Sequence, residues 1–301
     1  MEPALPPSPN TASVLSRRGK RFLLFAAALV ACFGIPLLAL LRFSLHSELY
    51  SHVMLIPAIS GYLIWTDRRK INTAFESARL PAIFCFAIGI SLLLFQTLFL
   101  AHQPAVDEAD RLCVWTLAFL AMLVGGLSWI HGQKVARSVA FPLAFLVFMV
   151  PMPRVMEDGL VTFLQHASAE TSYRMLTWSG MSVFREGTQF TLPHVSFGVA
   201  PECSGIRSTL VLFMTGLLAA YFFLKQKRSQ LVLVLMLIPL GILRNSIRIF
   251  TLAWLAVKWN PDVLNSDLHH RGGPFFFAVS LLPFFLLIWL LRKLEARQFP
   301  K

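Results

Sequence analysis

The side chains in this sequence that could do chemistry together are one cysteine, two or three arginines and a pair of histidines. Cys203 stands in Pro201-Glu202-Cys203-Ser204-Gly205-Ile206-Arg207-Ser208, where a polar, strand-like stretch meets a long apolar run. Ser204 and Gly205 suit a tight turn into that run. With residues 206–224 as a helix, Cys203 lies at its N-terminus, where unpaired N–H groups and the helix dipole favour negative charge. A thiol in that position is expected to have a lowered pKa and more thiolate at neutral pH. Arg207, at i+4, falls on the same face and works in the same direction. The competing reading of Cys203 is a small buried residue at a helix cap.

Arg244-Asn245-Ser246-Ile247-Arg248 interrupts the next apolar run, and His269-His270-Arg271-Gly272-Gly273 precedes the last. An ionisable residue within a membrane span is a functional candidate by default. Arg248 is near enough to an interface to snorkel, Arg244 less so. Asn245 reads as a hydrogen-bond partner between helices. Cys203 and the histidines could contribute to a zinc site, but a catalytic zinc needs three protein ligands and Cys32, Cys85 and Cys113 lie in or beside other apolar runs. No metal or cofactor is expected.

These residues must be positioned by membrane-spanning helices. The chain has 301 residues, 56% of them hydrophobic, with several uncharged runs of span length, which excludes a soluble enzyme. Its net charge of +12 is gathered in short loops between apolar runs, with no basic stripe interleaved with aromatics, so nucleic acid is not a partner. Four cysteines in a chain of this length do not make a disulfide framework. The fold class is all-α and polytopic, with about eight spans: 22–41, 52–65, 81–101, 112–130, 138–150, 206–224, 231–257 and 274–291. Residues 1–21 read as a disordered basic tail and 22–301 as one membrane domain. Pro151-Met152-Pro153 closes the fifth span. Between it and the sixth, residues 154–180 read as an amphipathic helix, and 184–199 as a short hairpin with Phe190, Leu192, Phe197 and Val199 on one face.

Basic clusters at 17–21, 68–70, 134–137, 225–228 and 292–297 all fall on one side of an eight-span chain. The charge bias makes that side cytoplasmic, with both termini, and puts residues 151–203 and the loop before the last span on the outer side. At about 1.5 Å per residue, Arg244 stands roughly 20 Å, Arg248 roughly 26 Å and Cys203 roughly 31 Å above the cytoplasmic edge. His269 and His270 lie at the outer mouth of the last span. Topology alone therefore brings cysteine, arginine and histidine to one depth.

The sequence resembles the exosortase/archaeosortase family of membrane cysteine transpeptidases. The resemblance rests on Glu202-Cys203-Ser204-Gly205-Ile206-Arg207-Ser208 at the start of a span, Asn245-Ser246-Ile247-Arg248-Ile249 in the next, and histidine followed by glycines before the last. Phe141-Pro142, Phe148-Met149-Val150-Pro151-Met152-Pro153, Leu164-Gln165 and the stretch 183–187 fit the same pattern, so that about residues 20–292 are covered. It implies Cys203 as nucleophile, paired with Arg248 and with His269, or alternatively His270; Arg207, Arg244 and Asn245, from their positions in the spans, are expected to support them. By the same resemblance the substrates would be secreted proteins with a C-terminal Pro-Glu-Pro-type signal, an apolar helix and a basic tail. Cleavage would occur at the outer face of a bacterial cytoplasmic membrane, where lipids are the other partners. The alternative is a non-catalytic membrane component of an exopolysaccharide assembly system. A transporter is disfavoured, because no internal repeat is found.

Overall fold

The computed structural model describes residues 9–69, 71, 76–100, 102–193, 195–260, 262–263 and 272–298. The chain divides into two compact units, Met1–Arg154 and Val155–Lys301.

In the first unit the helices are α1 (Pro9–Cys32), α2 (Gly34–His46), α3 (Ile56–Asp67), α4 (Arg79–Phe95), α5 (Glu108–His131), α6 (Gln133–Ser138) and α7 (Ala140–Phe145). Helix α1 begins inside the stretch read as a disordered tail, so Arg17, Arg18, Lys20 and Arg21 are helical residues. Helix α5 is capped by Asp107, whose carboxylate accepts from the Ala109 N–H at 3.2 Å, with Glu108 and Asp110 in its first turn. That is the sign of charge a helix N-terminus favours. The Arg154 N–H in turn donates to Asp110 at 2.7 Å. Helices α4 and α5 pack closely enough for Gly125 to sit against Ala82 and Cys85.

The second unit contains α8 (Arg154–Trp178, its first residue closing the first unit), strands β1 (Phe184–Glu186), β2 (Gln189–Leu192) and β3 (Val195–Gly198), then α9 (Ile206–Phe223), α10 (Lys227–Lys258) and α11 (Gly273–Gln298). The strands form an antiparallel meander in the order β1-β2-β3, pairing Arg185 with Phe190 and Phe190 with Phe197. The expected hairpin is thus extended by one strand. Its two-residue Gly187-Thr188 turn uses a glycine at φ +60°, a region that costs other residues energy. Phe190, Leu192 and Val199 are buried on one face and Phe197 stacks on Phe190 at 5.3 Å, as the alternation predicts. That face packs on Ala169 and Leu176 of α8 and on Ile249 and Ala253 of α10. A second core joins α9, α10 and α11 through Leu212, Leu233, Leu237, Phe284 and Ile288.

The fold is all-α and polytopic apart from this meander. Among the described residues five helices are long and apolar enough to cross a membrane, or up to seven if each of two bent pairs counts as one span. The eight expected spans are therefore not all present as straight helices. The first is broken by a 71° bend between Cys32 and Gly34, two residues before Pro36. The second, α3, has 12 residues, about 18 Å of helix against a hydrocarbon core of about 30 Å. The fifth is α7 with a 3₁₀ turn at Leu146–Met149, and ends before Pro151.

Candidate functional site

Cys203 closes a 3₁₀ turn, Pro201–Cys203, that precedes α9. Its N–H donates to Ala200 O at 2.9 Å, and that of Ser204 to Pro201 O at 3.1 Å. The helix begins only beyond Gly205, the N-cap, which has φ +81°. A Cβ at that glycine would stand 2.9 Å from Asn245 Cγ and 3.0 Å from Arg244 Nη2, so glycine is required both by conformation and by space. The helix starts at Ile206, as expected, and Cys203 lies in a separate turn ahead of the N-cap. The Ile206 N–H is met by Ser204 Oγ at 3.4 Å, so that donor is already taken.

What holds the turn is α10. The Asn245 side-chain amide donates to Cys203 O at 3.0 Å and to Ser204 O at 3.1 Å. Arg244, Asn245 and Ser246 are buried, at 6%, 1% and 0% exposure, and Arg248, one turn further on, is half-buried. The Arg248 charge acts on the Cys203 thiol, as does Glu202, and on Arg244 as well. Among the described residues no carboxylate pairs with Arg244. Arg207 is exposed in the first turn of α9. The structure thus brings together Cys203, Arg244, Asn245 and Arg248, and leaves Arg207 at the edge. His269 and His270 lie outside the described residues.

A polar layer absent from the sequence reading supports α10 from behind. Ser246 Oγ donates to Ile242 O at 2.8 Å and approaches Ser168 O at 3.2 Å, while Ser172 Oγ, bonded to Ser168 O at 2.7 Å, approaches Ser246 O at 3.3 Å. Gln165 Nε2 donates to Val199 O, tying α8 to the segment that leads into the Cys203 turn. In α8 the sequence marks only Leu164-Gln165, as part of the family pattern. Glu170 accepts from Arg174 at 2.8 Å and from Arg185 of β1, which also donates to Gly187 O at 2.7 Å. These two guanidiniums, that of Arg185 first, hold the Glu170 carboxyl below the usual carboxylate range. Among the described residues no three His, Cys, Asp or Glu side chains stand close enough to hold a metal ion.

A half-buried cysteine in a turn fixed by a neighbouring helix, with a guanidinium beside it, can present a nucleophile to a carbonyl and meet the charge that develops on its oxygen. A family model of transmembrane exosortases (Exosortase_EpsH) matches residues 44–286. The chain belongs to the transmembrane exosortase family. The matched stretch covers the greater part of each compact unit, with the Cys203 turn, all of α10 and the segment carrying His269 and His270. No curated protein and no solved structure matches the chain.

Proposed function

We propose that this exosortase-family protein is a membrane cysteine transpeptidase or protease that cleaves C-terminal sorting signals of secreted proteins. The observation that carries the reading is the grip of α10 on the Cys203 turn, with Arg248 one helical turn beyond Asn245. In this mechanism the Cys203 sulfur, as thiolate, bonds to the scissile carbonyl carbon, and the carbonyl electron pair moves onto oxygen. Arg248 meets that oxyanion. When the C–N bond breaks, the leaving amine takes the proton that His269, or His270, received from the thiol, and a thioester remains on Cys203. Attack by an amine or by water then releases the product and returns the proton and the thiol.

Substrates with a Pro-Glu-Pro-type motif, an apolar helix and a basic tail suit a site at this depth, because such a helix can lie beside the enzyme's own spans. The basic clusters favour a bacterial cytoplasmic membrane with both termini inside and the Cys203 turn outside. The test is Cys203→Ala and Cys203→Ser, each assayed on a tail-bearing substrate. Both variants are expected to accumulate in the membrane and to leave the substrate uncleaved, while wild type yields a trapped thioester. Wild-type processing in cells that carry only Cys203→Ala would put the cleavage elsewhere and support instead a non-catalytic component of an exopolysaccharide assembly system.

A further inference from the structure

We infer that Asn245 is a positioning residue for the Cys203 thiol, an inference that rests on the cysteine-enzyme reading above. The carbonyls of Cys203 and Ser204 precede the helix; the Gly205 carbonyl, which accepts from the Thr209 N–H at 3.0 Å, is the one that starts the ladder of α9. One side chain meets both earlier carbonyls, giving one amide hydrogen to each, at 3.0 and 3.1 Å. Two accepting carbonyls also settle which end of the side-chain amide is nitrogen.

This grip fixes the peptide planes on both sides of Ser204 and, through them, the direction of the Cα–Cβ bond that carries the thiol. The amide has no room to slide, since Asn245 is 1% exposed and its Cγ lies against the bare Gly205 backbone. Its Oδ1 is buried with no hydrogen-bond partner among the described residues. A buried acceptor left unmet is costly, so mere filling of space would be served better by an apolar side chain of the same size. The two N–H groups are what the position uses. The bond to the Ser204 carbonyl is buried and that to the Cys203 carbonyl partly so, and without the amide the turn must move to satisfy them.

The experiment uses the full-length protein in detergent, with Asn245→Leu, which matches the shape without donors, and Asn245→Asp, which donates only when protonated. Processing of a tail-bearing substrate gives kcat and KM, and mass spectrometry of the Cys203 peptide gives its alkylation rate against pH. Asn245→Leu is expected to keep KM and lose kcat by about 10²-fold, the size associated with misplacing a reacting group by about 1 Å. Its alkylation profile should also depart from that of wild type. Should Asn245→Leu fail to accumulate, Asn245→Asp decides, with low kcat at neutral pH that partly recovers as the pH is lowered. Wild-type kcat and alkylation profile in whichever variant folds overturn the inference. Cys203→Ala is run alongside. If it still processes substrate, the cysteine reading and this inference fall together; if it does not and the Asn245 variants match wild type, only the inference falls.

Discussion

The guanidinium of Arg244 lies against the bare face of Gly205, with Nη2 3.0 Å from the point a Cβ would occupy. A buried cation on α10 and the backbone turn that carries the cysteine are thus in direct apposition, with no side chain between them. The approach is possible only because residue 205 is glycine.

Gly205→Ala should therefore fail on two counts. The φ of +81° alone costs a non-glycine residue about 1–2 kcal/mol, and the new methyl must displace Asn245 or Arg244. Thermal unfolding in detergent is expected at a lower temperature than wild type, with substrate processing lost in the surviving folded fraction. An unchanged melting temperature with normal processing would show that the turn can relax without Gly205.

Arg248 and Arg207 should respond differently to a conservative change. If Arg248 meets the oxyanion, Arg248→Lys offers a point charge without the planar fork of donors. Losing one such donor typically lowers the rate by about 10²–10³-fold. Arg207 is exposed whereas Arg248 is half-buried and acts on the thiol, so Arg207→Lys should process substrate nearly as wild type does. Rate constants for the two variants on one substrate decide the matter, and equal, near-full activity removes arginine from the mechanism.

Much of this arrangement was legible in the sequence because it follows from length, charge and alternation. Helices α9, α10 and α11 are uncharged for span length or nearly so, and Phe190, Leu192, Phe197 and Val199 alternate onto one face. The turn at Ser204-Gly205 was visible because glycine there serves an unusual φ. The separate 3₁₀ turn at Pro201–Cys203 was not, because a turn of three residues leaves no periodicity to read. The break after Cys32 was hidden by an apolar run that continues through Gly34-Ile35-Pro36, although Pro36 was its signal. The pairing of Ser246 with Ser168 and Ser172, and of Glu170 with Arg185, depends on which helix face meets which neighbour, and no local pattern records that.

Orientation can be checked directly. The basic clusters imply that reporters fused after Lys70 and Arg228 report the cytoplasm, and those fused after Ala105 and Gly187 the outer side. Because α3 is short and the first span is bent, the fusions after Lys70 and Ala105 are the demanding ones. Two reversals among the four would remove the shared depth of Cys203 and Arg248 from the argument.

The Glu170 pair makes the stability of the second unit depend on acid. Helix α8 carries Glu157, Asp158, Glu170 and Arg174 and is read here as lying outside the spans, where its carboxylates titrate in water. Arg185 first and Arg174 second lower the Glu170 pKa in the folded protein below its ordinary value of 4.5. A depressed folded pKa means that the unfolded chain takes up the proton first as pH falls. The contribution is therefore fully present above the ordinary carboxylate value and is lost as pH drops through the folded one. Glu170→Gln should melt below wild type at neutral pH, and the gap should close as the pH is taken below the carboxylate range. Since Glu170 is largely solvated, the gap should also shrink at high salt. A difference in melting temperature that stays constant from neutral to acid pH would mean that the side chain acts through packing rather than charge. Arg185→Gln should reproduce the same pH dependence, because the salt bridge needs both partners, whereas Arg174→Gln, which removes the weaker of the two partners, should show a smaller version of it.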